Sequence, residues 1–436
     1  MLDVISAIST AHGAGGVAII RLSGQNALEI AEKMFSPAGK TGVKDFIPNV
    51  MYAGNIEGNG FKDFGMCVYF KAPKSFTGED VVEFHCHGGV QIARGILGKT
   101  ISFGARAAEK GEFTKRAFIN GKLSLSSAEG VIDMINAESL ASLRAGCMLY
   151  NEKLTSEINL LQNGLTDILA EISADLDYPE EDLENLNTAK INASIAQISS
   201  RLDSLASTYS SGKKIKDGVT VAICGKPNTG KSSLLNALLG YDKAIVSPEA
   251  GTTRDAVEGS IEIDGVTYNF IDTAGIRKRA GQIENIGIER AKKIISSADV
   301  ILSVTDGDGA AELSVTDGEV ITVFNKSDIT KPVGKFDVAV SAKTGEGLEE
   351  LKKLLAGKCV GEVALEKAYI IERRHYSALV RAAQSLKSAM ENAEAYTTDI
   401  LAIDLKDAWD CLGEITGETA NESIINTVFE KFCVGK

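Results

Sequence analysis

Gly225-Lys226-Pro227-Asn228-Thr229-Gly230-Lys231-Ser232 fits G-x-x-x-x-G-K-[ST], and no other stretch constrains its surroundings as strongly. Val219 to Cys224 before it is a short apolar, β-branched run that reads as a buried strand. Ser233 to Gly240 after it reads as a helix ending at a glycine. Strand, glycine loop and helix together make a phosphate cradle, because the loop N–H groups and the positive end of the helix dipole converge on one point. Lys231 is then expected at the β- and γ-phosphates, and the Ser232 hydroxyl at magnesium.

Three stretches downstream narrow the nucleotide. Asp272-Thr273-Ala274-Gly275 ends the apolar run Tyr268 to Ile271, with an aspartate suited to holding magnesium through water and a glycine N–H for the γ-phosphate. Asn325-Lys326-Ser327-Asp328 follows Val320 to Phe324, and a carboxylate such as Asp328 accepts both N1–H and the 2-amino group of guanine, which adenine lacks. Ser341-Ala342-Lys343 follows a further short strand, Phe336 to Val340, and would close over the base. In this order and spacing the strings resemble the GTPase signature set, which disfavours an ATPase.

At 436 residues the chain exceeds one ordinary domain. Apolar content of 44% and charged content of 24% suit a soluble globular protein. A net charge of −13 excludes a globally basic surface, so any nucleic-acid contact must be a local patch. The N-terminus does not read as a signal peptide, and no apolar run approaches the ~18 residues of a membrane span. The 7 scattered cysteines, without paired C-x-x-C spacing, suggest a reducing compartment, and a cytoplasmic protein is expected.

Residues 1–120 read as an α+β domain. Val17 to Ile20, Asp63 to Phe70 and Val81 to His87 suit strands, and Asn26 to Phe35 a helix. Gly13 to Gly16 precedes a strand and opens no helix, so it reads as a turn. His85 and His87 share a strand face but have no further metal ligand at a familiar spacing, which favours a satisfied polar pair. From Leu97 to Lys122, the cations Lys99, Arg106, Lys110, Lys115, Arg116 and Lys122 face only Glu109 and Glu112. That run is either a solvated basic face or a local site for an anionic partner.

Residues 121–215 read as helical, with Leu154, Ile158, Leu161, Leu165, Ile168 and Ile172 forming one stripe. The acidic run Asp175 to Glu184 reads as a loop, and Thr208 to Gly218 as a polar linker. Residues 216–360 hold the nucleotide motifs, including an Asp264-Gly265 hairpin turn. Helical periodicity returns over 361–436, where Tyr376, Leu379, Val380, Ala383 and Met390 fall on one face. Neither helical part has a complete core alone. The expected fold is therefore multidomain α/β: an N-terminal α+β domain, a helical bundle, and a Ras-like P-loop domain with a mostly parallel sheet inserted into that bundle.

The whole chain resembles the MnmE (TrmE) family of tRNA-modification GTPases. The resemblance rests on the phosphate loop and on Ala250-Gly251-Thr252-Thr253-Arg254-Asp255. It rests also on S-F-T-G-E-D-V-V-E-F-H-C-H-G-G from Ser75, G-E-F-T-K-R-A-F-I-N-G-K from Gly111, and the terminal Cys433-Val434-Gly435-Lys436. The outer strings separate it from GTPases of ribosome assembly, whose GTP-controlled RNA-binding switch is the alternative reading.

The resemblance implies a homodimeric, potassium-dependent GTP hydrolase. With a flavin-dependent partner, MnmG (GidA), in a heterotetramer or larger assembly, it would modify the 5-position of wobble uridine in certain tRNAs. It implies nucleotide contacts from Asn228, Thr229, Gly230, Lys231, Ser232, Ser233, Ser247, Gly251, Thr252, Thr253, Asp272, Thr273, Ala274, Gly275, Asn325, Lys326, Asp328, Ser341, Ala342 and Lys343. Magnesium falls to Ser232 and Thr253, and potassium to Asn228, Ser247, Glu249 and Thr252. Ile276 stands where a Ras-like protein carries its water-orienting glutamine, and the resemblance gives that task to Glu284. Arg254 and Arg277 would pair two nucleotide domains. A 5-formyl- or methylene-tetrahydrofolate would meet Arg21, Glu83, Lys122 and Lys436, and Cys433 would lie near the modification site. Gly435 and Lys436 fit a prenylation box poorly, so no membrane anchor is expected.

Overall fold

The computed structural model of the protein describes residues 3–11, 13–177, 188–241, 259–272, 293–307, 318–332, 334–359, 370–392 and 398–436. The chain divides into two compact units, one of Met1–Ile132, Leu149–Ile198 and Gln384–Lys436, the other of Asp133–Met148 and Ser199–Ala383. The first unit is thus assembled from segments on both sides of the second in sequence.

In the first unit, β1 (Ile5–Ile8), β2 (Val17–Ser23), β3 (Phe35–Pro37), β4 (Met51–Glu57), β5 (Lys62–Phe70), β6 (Val81–His87) and β7 (Arg106–Ala107) make one sheet, ordered β3-β4-β5-β6-β2-β1-β7. Only the β1–β7 pair is parallel. Strand alternation sorts the residues of β6: Val82, Phe84 and Cys86 are buried against the helices Ala27–Met34 and Val90–Ser102. The other face carries Glu83, His85 and His87, with Met51, Phe64 and Met66 exposed on β4 and β5. His87 Nδ1 lies 2.7 Å from Asp63 Oδ1 and His85 Nε2 lies 3.2 Å from Glu83 Oε2, so both histidines are satisfied polar partners. Among the described residues no group of three metal-ligating side chains occurs.

Of the six cations between Leu97 and Lys122, the structure pairs Arg106 and Arg116 with carboxylates, while Lys110 and Lys122 are exposed. Arg116, on the Glu112–Ile119 helix, is 2% exposed and reaches Asp3 Oδ1, Glu79 Oε2 and Glu112 Oε1, each at 3.0 Å. Arg106 pairs with Asp3 at 2.8 Å and Glu112 at 2.6 Å. Two of those carboxylates lie outside the stretch in sequence, so a local count of charges misses them. Arg106 and Arg116 thus form a neutralised cluster with Asp3, Glu79 and Glu112, buried at Arg116 and Glu112.

The Lys153–Asp177 helix buries Leu154, Ile158, Leu161, Leu165, Ile168 and Ile172, the stripe its periodicity predicts. It packs along the Thr398–Thr416 helix. It also runs into the expected acidic loop as far as Asp177, and residues 178–187 lie outside the described residues. The Arg373–Asn392 helix buries His375, Ala378, Leu379, Ala382, Leu386 and Ala389, whereas Tyr376 and Val380 are exposed. The expected face was therefore rotated. Its alanines carry little hydrophobic signal, and Tyr376 instead stacks on Tyr209 with ring centroids 4.5 Å apart.

The second unit holds β8 (Val219–Gly225), β9 (Gly259–Ile263), β10 (Val266–Asp272), β11 (Val300–Thr305), β12 (Glu319–Phe324) and β13 (Val338–Ala339) in the order β13-β12-β11-β8-β10-β9. Every pair is parallel except β9–β10, joined at Asp264 (φ 50°) and Gly265 (φ 80°), as the hairpin signal predicts. The helices Lys231–Tyr241 and Leu348–Cys359 bury Leu234, Leu238, Leu351 and Leu355 in its core. Of Phe336 to Val340, only Val338 and Ala339 pair in the sheet. The expected linker Thr208 to Gly218 is instead a helix over Tyr209–Asp217, with Ile215 buried and Gly212 pressed so close to Ile370 that a Cβ would lie 2.3 Å from its carbonyl oxygen.

Candidate functional site

The parallel strands of the second unit bring their loops to one edge, where open α/β sheets bind ligands. Strand β8 delivers the phosphate loop, β10 ends at Asp272, β12 leads into Asn325-Lys326-Ser327-Asp328, and β13 leads to Ser341. Four stretches far apart in sequence become neighbours through strand order alone.

The loop's glycines answer to its tight course. Gly225 has φ 152°, and a Cβ there would sit 2.2 Å from the Val304 carbonyl oxygen. Gly230 has φ 88°, and its Cβ would sit 2.4 Å from Asn325 Nδ2. Asn228, between them, holds φ 65° without being glycine, a left-handed conformation costing on the order of 1–3 kcal/mol. Strain at a phosphate loop is retained because neighbouring contacts over-determine it.

Those contacts run both within the loop and across to the base stretch. Lys231 Nζ donates to the carbonyls of Gly225 (3.0 Å) and Lys226 (2.7 Å), and Thr229 Oγ1 donates to Lys226 O (3.0 Å). The buried Asn325 donates from Nδ2 to Thr229 O (2.9 Å) and accepts at Oδ1 from the Ala342 N–H (3.1 Å). One amide thereby ties three of the sequence motifs together. Lys326, itself at φ 64°, donates to Asn228 O (2.7 Å) and to Asp306 Oδ2 (2.6 Å). Ser341 Oγ donates to Asp328 Oδ1 at 2.7 Å, which orients an exposed carboxylate. Ser232 Oγ donates to Asp272 Oδ2 at 3.0 Å, so two hard oxygen donors face each other at the phosphate end.

Ser233 and Lys343 are exposed beside these groups. Ser247, Glu249, Gly251, Thr252, Thr253, Arg254, Thr273, Ala274, Gly275, Ile276, Arg277 and Glu284 lie outside the described residues. Asp306, placed directly after the apolar strand β11, was not among the expected site residues. A carboxylate at the C-terminal end of a parallel strand is the signal that would have found it.

A second constellation sits in the first unit. Arg21 on β2 and Glu83 on β6 are direct cross-strand partners, with Nε donating to Oε1 at 2.7 Å. Burial pushes Glu83 up, but the hydrogen bond from His85 and the Arg21 guanidinium outweigh it and hold the carboxyl below its ordinary value. The Phe76 and Phe113 rings lie 5.9 Å and 5.7 Å from the guanidinium carbon. Sequence reasoning missed both rings, since one arrives from the loop before β6 and the other from the Glu112–Ile119 helix. The chain terminus comes to the same region: Phe113 N–H donates to Lys436 O at 3.2 Å, and Gly111 N–H to Cys433 O at 3.3 Å. Gly435 (φ 99°) passes so near Ile8 that a Cβ would meet its carbonyl oxygen at 2.2 Å. Lys122 donates to Pro73 O at 3.1 Å on the loop that carries Phe76. Cys433 is exposed.

Residues 125–433 match the family described as MnmE helical domain, and residues 4–122 match GTP-binding protein TrmE N-terminus. The chain is 38% identical over 457 residues to a tRNA modification GTPase MnmE of Acetivibrio thermocellus, covering 100% of this chain and 99% of that one. It is 39% identical over 461 residues to the protein of the same name from Thermoanaerobacter pseudethanolicus, covering 100% of both. Among solved structures it is similar to the G domain of the T. maritima FeoB iron transporter, at 28% identity and a TM-score of 0.25, over 32% of this chain and 98% of that one.

Proposed function

The chain belongs to the MnmE family of tRNA modification GTPases, and from that premise we propose how its residues divide the work. It is a GTP hydrolase of tRNA modification, with an N-terminal domain, a helical domain and a GTPase domain. The division we propose is 1–120, 121–215 with 361–436, and 216–360. The observation that carries the nucleotide assignment is the amide of Asn325, which joins the phosphate loop to the loop of Ala342 beside Asp328.

In this reading Lys231 and the loop N–H groups from Asn228 to Ser233 hold the phosphates, and Asp328, oriented by Ser341, reads guanine. Asn325, Lys326, Ala342 and Lys343 would frame the base, and the γ-phosphate would fall to Thr273, Ala274 and Gly275. Magnesium fits Ser232 and Asp272, whose oxygens lie 3.0 Å apart, with Thr253 joining them. The chemistry such an ion supplies is neutralisation of charge on the phosphate oxygens. Potassium would fall to Asn228, Ser247, Glu249 and Thr252, with Ser247, Gly251, Thr252 and Thr253 closing over the nucleotide. Glu284 would orient the attacking water, a task the apolar Ile276 cannot perform.

Arg21, Glu83, Lys122 and Lys436 suit a tetrahydrofolate: cations for its glutamyl carboxylates, a carboxylate for pterin N–H groups, and the Phe76 and Phe113 rings for its flat heterocycle. That folate would be the source of the one-carbon unit, and the exposed Cys433 would stand near the modified base. The exposed Met51, Phe64 and Met66 on one face of the N-terminal sheet support pairing with a second copy. A flavin-bearing MnmG-type partner would complete the reaction on wobble uridine. No helix among the described residues is long and apolar enough to cross a membrane. Work on tRNA would put the protein in the cytoplasm.

Mass spectrometry of tRNA nucleosides from cells with and without the gene tests this reading. Loss of the wobble-uridine substituent, restored by the intact gene and not by Asp272→Ala, is expected. Unchanged nucleosides would favour a GTP-controlled switch without chemistry on RNA.

A further inference from the structure

We infer that Asp306 is a positioning residue for nucleotide retention, acting through Lys326. The inference rests on the reading of Asn325 to Asp328 as the guanine-binding loop.

Two left-handed, non-glycine residues occur at this edge of the sheet, Asn228 at the tip of the phosphate loop (φ 65°) and Lys326 in the base loop (φ 64°). A single ammonium group connects them, because Lys326 Nζ donates to Asn228 O at 2.7 Å. The same ammonium donates to Asp306 Oδ2 at 2.6 Å, the shorter of its two bonds. Asp306 comes from a third loop, that after β11, whose backbone is held by bonds that do not involve the Lys326 side chain: Asn325 N–H donates to Thr305 O at 2.7 Å, and Thr305 Oγ1 donates to Gly307 O at 2.8 Å. The carboxylate is therefore the fixed end of the arrangement and the lysine the movable one.

A lysine is a flexible stem ending in a compact charge, so one neutral carbonyl does little to hold it in a single geometry. The ion pair supplies the second anchor. With both anchors, the lysine stem spans from base loop to phosphate loop, and the two strained loops keep a common spacing. Without Asp306 the stem regains rotamer freedom and its hold on Asn228 weakens, leaving the Asn325 bond to Thr229 O as the firmer tie to the phosphate loop. The side chains of Lys326 and Asp306 are 36% and 35% exposed, which screens the pair, so a moderate effect is expected. The part of the reaction that suffers is retention of the nucleotide. The hydrolytic end, around Ser232 and Asp272, has its own hydrogen bond and does not depend on this pair.

The test uses the full chain. Asp306→Ala is expected to raise the dissociation rate of a fluorescent GDP analogue and the KM for GTP by about 3- to 10-fold, with the single-turnover hydrolysis rate at saturating GTP unchanged. Asp306→Asn, which keeps an acceptor without the charge, should recover part of the loss. In a Lys326→Ala background, Asp306→Ala should add nothing further. Wild-type dissociation in Asp306→Ala overturns the inference, as does full additivity with Lys326→Ala or a fall in single-turnover rate at unchanged KM. Asp328→Asn in parallel should abolish the preference for GDP over other purine nucleotides. If it does, a silent Asp306→Ala defeats this inference alone; if preference persists, the base-loop reading fails and takes the inference with it.

Discussion

Ser232 Oγ donates a 3.0 Å hydrogen bond to Asp272 Oδ2, joining the first turn of the helix after the phosphate loop to the last residue of β10. The two residues are 40 apart in sequence. Their meeting brings a hydroxyl and a buried carboxylate together, the pair that in the proposed reading would hold magnesium. Asp272→Ala should lower single-turnover GTP hydrolysis on the order of 10²-fold and raise the magnesium concentration needed for half-maximal rate. Wild-type turnover with an unshifted magnesium titration would remove Asp272 from the metal site.

Hydrolysis also needs an aligned water, and Ile276 has no polar atom on its side chain to align one. Glu284→Ala should reduce turnover by about 10²–10⁴-fold while leaving GTP affinity unchanged. Stopped-flow binding and single-turnover hydrolysis on the same preparation separate the two quantities. Equal turnover in variant and wild type would end the role assigned to Glu284.

Arg116 is 2% exposed and surrounded by Asp3, Glu79 and Glu112. Arg116→Met should destabilise the N-terminal domain by about 3 kcal/mol, since it removes the cation paired with the largely buried Glu79 and leaves Asp3 and Glu112 to Arg106 alone. Burial raises Glu112 and Asp3, but hydrogen bonds from Arg106 and the Arg116 guanidinium outweigh it and hold both below their ordinary values of 4.5 and 3.8. A depressed carboxylate contributes stability that is complete above its unfolded pKa and drains as pH falls towards the folded one. Denaturant unfolding should therefore show a large gap between wild type and Arg116→Met at pH 7 that narrows below about pH 4. A gap independent of pH would assign the loss to packing.

At the second constellation, Arg21→Ala and Glu83→Gln should each weaken binding of 5-formyltetrahydrofolate by about 10-fold or more, the scale of a lost charge-assisted hydrogen bond. Calorimetric titration of the purified protein reads this directly. Unaltered affinity in both variants would move the folate site elsewhere.

The cysteines should separate by reactivity. Burial pushes the Cys67 thiol far up, and burial with the nearby Asp63 charge pushes Cys86 up to about 11, whereas Cys433 is exposed. Brief alkylation of the native protein at pH 7.5, read by peptide mass spectrometry, should label Cys433 before Cys67 and Cys86. Equal labelling would show that the terminus is protected.

Much of the nucleotide domain was legible in advance, because each motif follows an apolar strand whose length and composition announce it. Strand β6 and the stripe from Leu154 to Ile172 were legible for the same reason: residues that share one buried face repeat with the period of the element. The rotated face of the Arg373–Asn392 helix was not, since alanines at its contact surface register weakly in any hydrophobic pattern.

The amino-acid sequence alone determined which motifs are present: a phosphate loop, the further strings of a GTPase, and strings outside that domain that mark the family. Those are local facts, set by residue type and short spacing. Tertiary structure decided which residues meet. It neutralised Arg106 and Arg116 within a basic stretch by supplying Asp3 and Glu79 from elsewhere, and it brought Lys436 to the backbone of Phe113. It also set Asp306 against Lys326. Ion pairs and backbone contacts of that kind depend on strand order and chain return, which carry no period for a linear reading to detect.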